Sequence, residues 1–221
     1  MKYYEAYDRR YRTVHAEGLA WFGGGATPAL TKLTARLPDG ARVLELGCGE
    51  GADAMWLISQ GYDVLATDVS PAAVDWCRAR FPEVAGRFRV LDALADTLED
   101  TFDGIVAVAV LHMLIEDADR QALLRFIREH LAPGGVGLIV VMGDGEAAFA
   151  TEPARAFDEQ ERVHQASGRK LKIASTSCRV VSRETLREEF TRAGLWIADE
   201  GPAQWDGSDF AMYALVQQAG K

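Results

Sequence analysis

The stretch Val43-Leu44-Glu45-Leu46-Gly47-Cys48-Gly49-Glu50-Gly51 decides the fold. Its first four residues read as a buried strand that runs into a glycine-rich turn, and a helix opens at about Ala52. Glycines at alternate positions allow positive φ in the turn and remove the Cβ atoms that would hold a ligand away from the backbone. Glu45 is the second signal, because a carboxylate in an apolar strand end is expensive to bury unless something answers it. Glu45 is therefore a candidate site residue.

Short apolar runs alternate with helical stretches downstream, which predicts βα units and a mostly parallel sheet covered on both faces. The expected strands are Arg42 to Leu46, Asp63 to Thr67, Phe88 to Leu91, Gly104 to about Ala109 and Val136 to Met142. The intervening helices are Ala52 to Gln60, Ser70-Pro71 to Arg80, and Asp117 to Leu131. Before the core, residues Lys2 to Ala16 are helix-compatible, with tyrosines on one face. Leu19-Ala20-Trp21-Phe22-Gly23-Gly24-Gly25 reads as a mobile loop carrying two aromatics, and Thr27 caps a short helix from Pro28 to about Arg36. The rhythm breaks between Gly143 and Val181, where a helical piece (about Pro153 to Gln165) and a short strand (Lys170 to Ser175) are expected. Ser182 then caps a helix to Arg192, and Leu195 to Asp199 with Phe210 to Gln217 form an antiparallel pair around a loop.

At 221 residues and 48% hydrophobic composition, one domain is the default. A net charge of −9 opposes a nucleic-acid partner, and the local basic cluster Arg9, Arg10, Arg12 fits a solvated helix face. Three widely spaced cysteines show no disulfide or metal pattern, so a reduced, cytoplasmic protein is expected. No apolar run approaches the roughly 20 residues that span a bilayer.

Three successive strands deliver polar groups at their carboxyl ends: the glycine turn, Asp68 and Asp92. In an open α/β sheet these ends share one crevice. Asp68 stands 21 positions after Gly47, where an acid accepts from ribose hydroxyls in nucleotide-binding βαβ units. Asp92 followed by Ala93 suits a carboxylate facing an exocyclic amine, so adenine is the natural partner. Singly, either acid could be a helix cap or a surface turn. Gly47, Gly49 and Ala52 also satisfy a dinucleotide fingerprint, but Glu45 would repel a pyrophosphate, and a cationic cofactor such as S-adenosylmethionine fits better.

Taken together, Glu45-Leu-Gly-Cys-Gly-Glu-Gly51, Asp68-Val69-Ser-Pro71, Asp92-Ala93, Phe102 to His112 and Leu131-Ala-Pro-Gly-Gly135 resemble the successive motifs of class I S-adenosylmethionine-dependent methyltransferases. The resemblance implies a Rossmann-like, mostly parallel seven-stranded sheet with a C-terminal antiparallel strand. It implies that Gly47, Gly49 and Gly51 flank the methionine part and Glu45 orients the turn and amino group. Asp68 with Val69 would hold the ribose, Asp92 and Ala93 would meet adenine, and Ala107 would offer backbone near the amino-acid end. Tyr7-Asp8-Arg9-Arg10-Tyr11 is similar to the W-D-x-x-Y segment of thiopurine and tellurite-resistance-type enzymes, with Tyr7 in place of tryptophan. That likeness implies a flap bringing Tyr11 and Trp21 over the cofactor; ordinary helix packing is the alternative.

His112 is the candidate base or substrate-orienting group, its free pKa being near neutral. Arg179, in the polar run Thr176-Ser177-Cys178-Arg179, is a candidate for a substrate carboxylate, against a plain surface loop. His15 and His164 read as solvent-facing on helices, and Cys48 as buried filler. The expected organisation is a helical flap (1–37), a cofactor core (38–143), a substrate-side insertion (144–181) and a terminal helix with its strand pair (182–221). The expected function is methyl transfer to a small molecule, yielding S-adenosylhomocysteine, with no metal, nucleic acid or membrane. A protein side chain as acceptor, a non-catalytic cofactor-binding module and a nicotinamide oxidoreductase are the alternatives, and the acceptor atom and oligomeric state stay open.

Overall fold

The computed structural model describes residues 2–21, 24–205 and 207–220. Phe22 and Gly23 of the predicted glycine loop lie outside them. Among the described residues the main sheet has seven strands in the order β10-β11-β5-β4-β1-β2-β3. These are β1 (Arg42–Leu46), β2 (Asp63–Asp68), β3 (Phe88–Val90), β4 (Phe102–Val108), β5 (Leu131–Met142), β10 (Leu195–Trp205) and β11 (Ser208–Gln218). The first five run parallel, and β11 pairs antiparallel with both β5 and β10. The strand order reverses between β1 and β4, and this is the point at which open α/β sheets open a crevice.

Helices α1 (Ala6–Ala16), α2 (Leu30–Thr34), α3 (Ala52–Ser59), α4 (Pro71–Arg80), α5 (Asp117–His130) and α6 (Arg183–Arg192) cover the sheet. Apolar side chains on its two faces form separate cores. One gathers Leu44, Ile105, Leu123, Ile127 and Phe190 under α5 and α6, and the other gathers Val43, Leu57, Val64, Val74 and Val106 under α2, α3 and α4. Cores on both faces explain why the central strands read as continuous apolar runs. Ser70 caps α4 by accepting from Ala73 N, and Ser182 caps α6 by accepting from Thr185 N. No helix among the described residues is long and apolar enough to cross a membrane.

The structure corrects three local expectations and adds one small element. The helical piece over 153–165 is instead a short 3-10 turn at Pro153–Arg155 and strand β7 (Glu159–Val163), which pairs antiparallel with β8 (Lys170–Ala174). The loop expected between the last two strands is itself strand, closing at Trp205↔Ser208 through two register shifts. Pro202 is tolerated there because β10 is an edge strand and needs no outward N–H partner. Thr27 does not cap α2: its backbone N–H and hydroxyl both donate to Asp53, at 2.6 and 2.9 Å. Lastly, β6 (Phe149–Ala150) and β9 (Arg179–Val180) tie the insertion together as a small ladder.

Candidate functional site

The carboxyl ends of β1, β2, β3 and β4 open into one cavity of about 1800 Å³. Its floor is the glycine turn, with φ of +72° at Gly47, +52° at Gly49 and +84° at Gly51. The glycines answer the protein's own packing as much as any ligand. A Cβ on Gly47 would overlap the Val110 side chain, and one on Gly49 would lie 2.8 Å from the Tyr11 hydroxyl. A Cβ on Gly51 would meet Cys77, Phe81 and Phe88, and Gly51 itself is not among the residues lining the cavity.

Glu45 is 3% exposed, and its Oε2 has no hydrogen-bond partner. Burial, then the nearby Asp53 carboxylate, push its carboxyl well above the usual range. A buried acid left in this state is unfavourable until a donor or a positive charge reaches it. Asp68, at the end of β2, accepts from Gly49 N at 2.9 Å and Ser70 N at 2.8 Å. Burial still raises it to about 6. An acid whose folded-state pKa exceeds its unfolded value costs stability once the pH rises above about 4, and the cost is complete above about 6. Val69, Ala93 and Leu94 line the same wall. Asp92 accepts from Lys2 Nζ at 3.0 Å, Tyr4 Oη at 3.1 Å and Leu94 N at 2.9 Å.

The N-terminal segment is fastened to each of these turns. Asp8 accepts from Ser70 Oγ (2.8 Å) and Ala72 N (3.0 Å) at the start of α4, while Lys2 and Tyr4 reach Asp92. His15 Nε2 lies 2.8 Å from Glu50 Oε1, which also accepts from Trp21 N at 2.6 Å. His15 is thus no solvent-facing histidine; it stacks on Trp76 with centroids 4.1 Å apart. Tyr11 and Trp21 both stand on the cavity wall.

At the other end, β4 delivers Val108, Ala109 and Val110 to the cavity, and Ala107 is enclosed within the sheet and does not line it. Ala109 holds φ +59°, a left-handed backbone that non-glycine residues adopt at a cost. His112 follows in a 3-10 turn, Leu111–Met113. Its Nδ1 accepts from Met142 N at 3.1 Å, its Nε2 has no partner among the described residues, and Trp205 meets it edge-on at 5.7 Å. Burial first, and then the Arg120 charge, lower its pKa to about 3. The ring is therefore neutral, and with Nδ1 accepting, the proton sits on Nε2.

Arg179 is not at the cavity: its Nη1 donates to Ile115 O and Asp117 Oδ1, both at 2.6 Å. His164 is buried at the end of β7, where Nε2 meets Ala20 O at 2.6 Å and Nδ1 meets Ser167 Oγ at 2.7 Å, so it fastens the hairpin to the N-terminal loop. Arg10 is buried on the cavity wall, not on a solvated face. The signal was present, since Tyr7, Arg10, Tyr11 and Val14 share one stripe at helical spacing.

The sequence profile of the family described as "Methyltransferase domain" matches residues 21–199. The chain belongs to this methyltransferase-domain family. The cypemycin N-terminal methyltransferase of a Streptomyces species is 32% identical over 124 residues, covering 53% of this chain and 49% of that protein. The curated relatives are matched over 33% to 54% of their own length, so the chain spans about half of them or less. Among solved structures, the CcbJ methyltransferase from Streptomyces caelestis superposes with a TM-score of 0.74 at 18% identity, covering 96% of this chain and 99% of that one. The 1,6-didemethyltoxoflavin-N1-methyltransferase of Burkholderia thailandensis, solved with 1,6-didemethyltoxoflavin and S-adenosylhomocysteine, gives 0.66 at 22% identity, over 87% and 77%. The methyltransferase-domain chain thus has the Rossmann-like fold of the class I S-adenosylmethionine-dependent enzymes.

Proposed function

We propose that the chain transfers a methyl group from S-adenosylmethionine to a small molecule in the cytoplasm. The observation that carries this reading is the buried carboxyl of Glu45, its Oε2 unpartnered among the described residues, beside Asp68 and the glycine turn in one cavity. The fit to a cationic cofactor follows from charge: a raised carboxyl at Glu45 is stabilised by an arriving positive group, and an anionic pyrophosphate would be repelled. When bound, S-adenosylmethionine supplies a methyl group activated on a positively charged sulfur. Gly47, Gly49 and the strained Ala109 would offer backbone to its amino-acid end, Asp68 and Val69 would hold the ribose, and Asp92 with Ala93 would meet adenine. Family membership supports the activity, and the structural neighbour solved with 1,6-didemethyltoxoflavin supports the acceptor class. Incubation with a metabolite panel and methyl-labelled cofactor tests the reading; label in no small molecule, but in protein, would move it to the macromolecular alternative.

Asp68 sets a pH dependence. Its ionised form is the better acceptor, and its carboxyl titrates at about 6, so the Asp68 contribution to cofactor affinity rises with pH and levels off above about 6. Asp68→Ala should weaken binding by about 1.5–3 kcal/mol and flatten this dependence. Titration at several pH values checks both, and an unchanged profile in the variant removes Asp68 from the site.

His112 is assigned a donor role. With a pKa of about 3 it offers Nε2–H to the acceptor across the neutral range and cannot serve as a base there. His112→Asn should raise the acceptor KM by about fivefold to tenfold, the worth of one hydrogen bond, and keep the shape of the rate–pH profile. Loss of a limb near neutrality would restore the base role.

A further inference from the structure

Strand β7 alternates its charges in a way the methyl-transfer reading leaves unused. Glu159 and Glu161 point to the outside, where they pair with Arg9 and Lys170, each at 2.8 Å. Period-two alternation then turns Gln160 and Arg162 inward, and both line the cavity. Arg162 has no hydrogen-bond or ion-pair partner among the described residues. Across from it, Arg10 gives Nε and Nη2 to Ala174 O, Ser175 O and Thr176 Oγ1, at 2.7–3.1 Å, and none of these bonds uses Nη1. Burial, and the adjacent Arg162 charge, hold Arg10 below the usual guanidinium range. The acids nearby are spoken for: Asp158 pairs with Arg155 at 3.0 Å, and Glu152 acts on that same arginine.

Arg162 and Arg10 therefore face one cavity, neither paired with a carboxylate among the described residues, in a chain of net charge −9. Adjacent like charges are unfavourable until a counter-charge answers them, and a planar fork matches a carboxylate in two-point fashion. Aromatic rings stand beside these groups. Arg10 itself lies over the rings of Trp21 (5.0 Å) and Tyr7 (5.4 Å), and Trp205 stands edge-on to His112. We propose that the methyl acceptor is a planar, aromatic or conjugated carboxylic acid whose carboxylate is held by Arg162 beside Arg10. The proposal rests on the methyltransferase reading and deepens it: the hairpin, absent from the cofactor turns, becomes the element that selects an anionic acceptor.

The test uses the full chain, with and without S-adenosylhomocysteine, and matched pairs of probes: benzoate, 4-hydroxybenzoate and cinnamate, each against its primary amide. Calorimetry should show at least one acid binding tenfold or more tighter than its amide. Arg162→Ala should remove that preference and leave S-adenosylhomocysteine affinity unchanged; Arg162 is exposed at the cavity mouth, so the variant keeps its fold. Equal binding of acid and amide, no binding by any acid, or a preference that survives in Arg162→Ala overturns the proposal. A drop in S-adenosylhomocysteine affinity with the acid preference intact also overturns it, assigning the guanidinium to the cofactor's own carboxylate. Failure of the chain to bind S-adenosylhomocysteine sinks the methyltransferase reading separately, because the acid–amide comparison is decided without it.

Discussion

Replacing Arg120 by alanine lowers the unfolding free energy by about 3–5 kcal/mol, the usual loss when one member of a buried ion pair is removed. Arg120 is 1% exposed and grips both carboxylate oxygens of Glu189, at 2.8 and 2.7 Å, so α5 and α6 are joined through a dry contact. Its Nη1 also donates to Leu111 O at 2.7 Å and Leu114 O at 3.2 Å. Those carbonyls bracket the turn that carries His112 and Met113, and the same residue thus serves fold and site. Alanine leaves Glu189 buried without a counter-charge and takes the guanidinium donor from both carbonyls, of which Leu111 O keeps Leu114 N at 3.2 Å. The double replacement Arg120→Met with Glu189→Leu separates the two effects. It should recover most of the stability, since no charge is stranded, but not the acceptor affinity, since the His112 turn has lost its anchor. Denaturant titration of the three proteins checks the first claim, and acceptor KM checks the second. A single variant as stable as the parent would show that the pair contributes little.

Gly47→Ala is the second large effect. At φ +72° an alanine pays about 1–2 kcal/mol of backbone strain. Its Cβ would also overlap Val110, which costs about 1–3 kcal/mol more through overpacking. Val110 cannot retreat freely, because it follows the strained Ala109 and leads into the His112 turn. The turn must therefore move, and cofactor affinity should fall at least about tenfold as the backbone leaves its position. Gly40→Ala is the matched control: its φ is +70°, but nothing lies within 4 Å of the added atom. It should lose only the strain component and keep full binding. Equal losses in both variants would show that φ alone, and not the approach of Val110, governs the turn.

The strands of the sheet were legible because the central ones are short apolar runs, β1 and β5 ending at glycine and β2 at aspartate, and both faces of the sheet carry a core. The same signal failed for β7. Glu159-Gln-Glu-Arg-Val163 has polar residues on both sides, since one face meets solvent and the other meets a cavity, so no apolar stripe betrays the strand. Glu45, Asp68 and Asp92 could be read in advance because the crevice follows from topology. Arg179 could not, because its partner Asp117 stands 62 positions away and is brought near only by the insertion. Ala107 stands one residue before the cavity lining, which begins at Val108, where the strand ends. The protonation of His112 was equally hidden, being set by the backbone of Met142 on the neighbouring strand.

Binding calorimetry with S-adenosylmethionine, run at pH 6 in buffers of different ionisation heat, tests the central claim most directly. Saturable binding with net proton release is the predicted result, because a cationic ligand beside Glu45 and Asp68 draws both carboxyls toward their ionised forms. S-adenosylhomocysteine should bind as well, NAD should not, and Glu45→Gln should release fewer protons. Absence of binding by both S-adenosyl compounds up to millimolar concentration, or tight binding of NAD, would contradict the account.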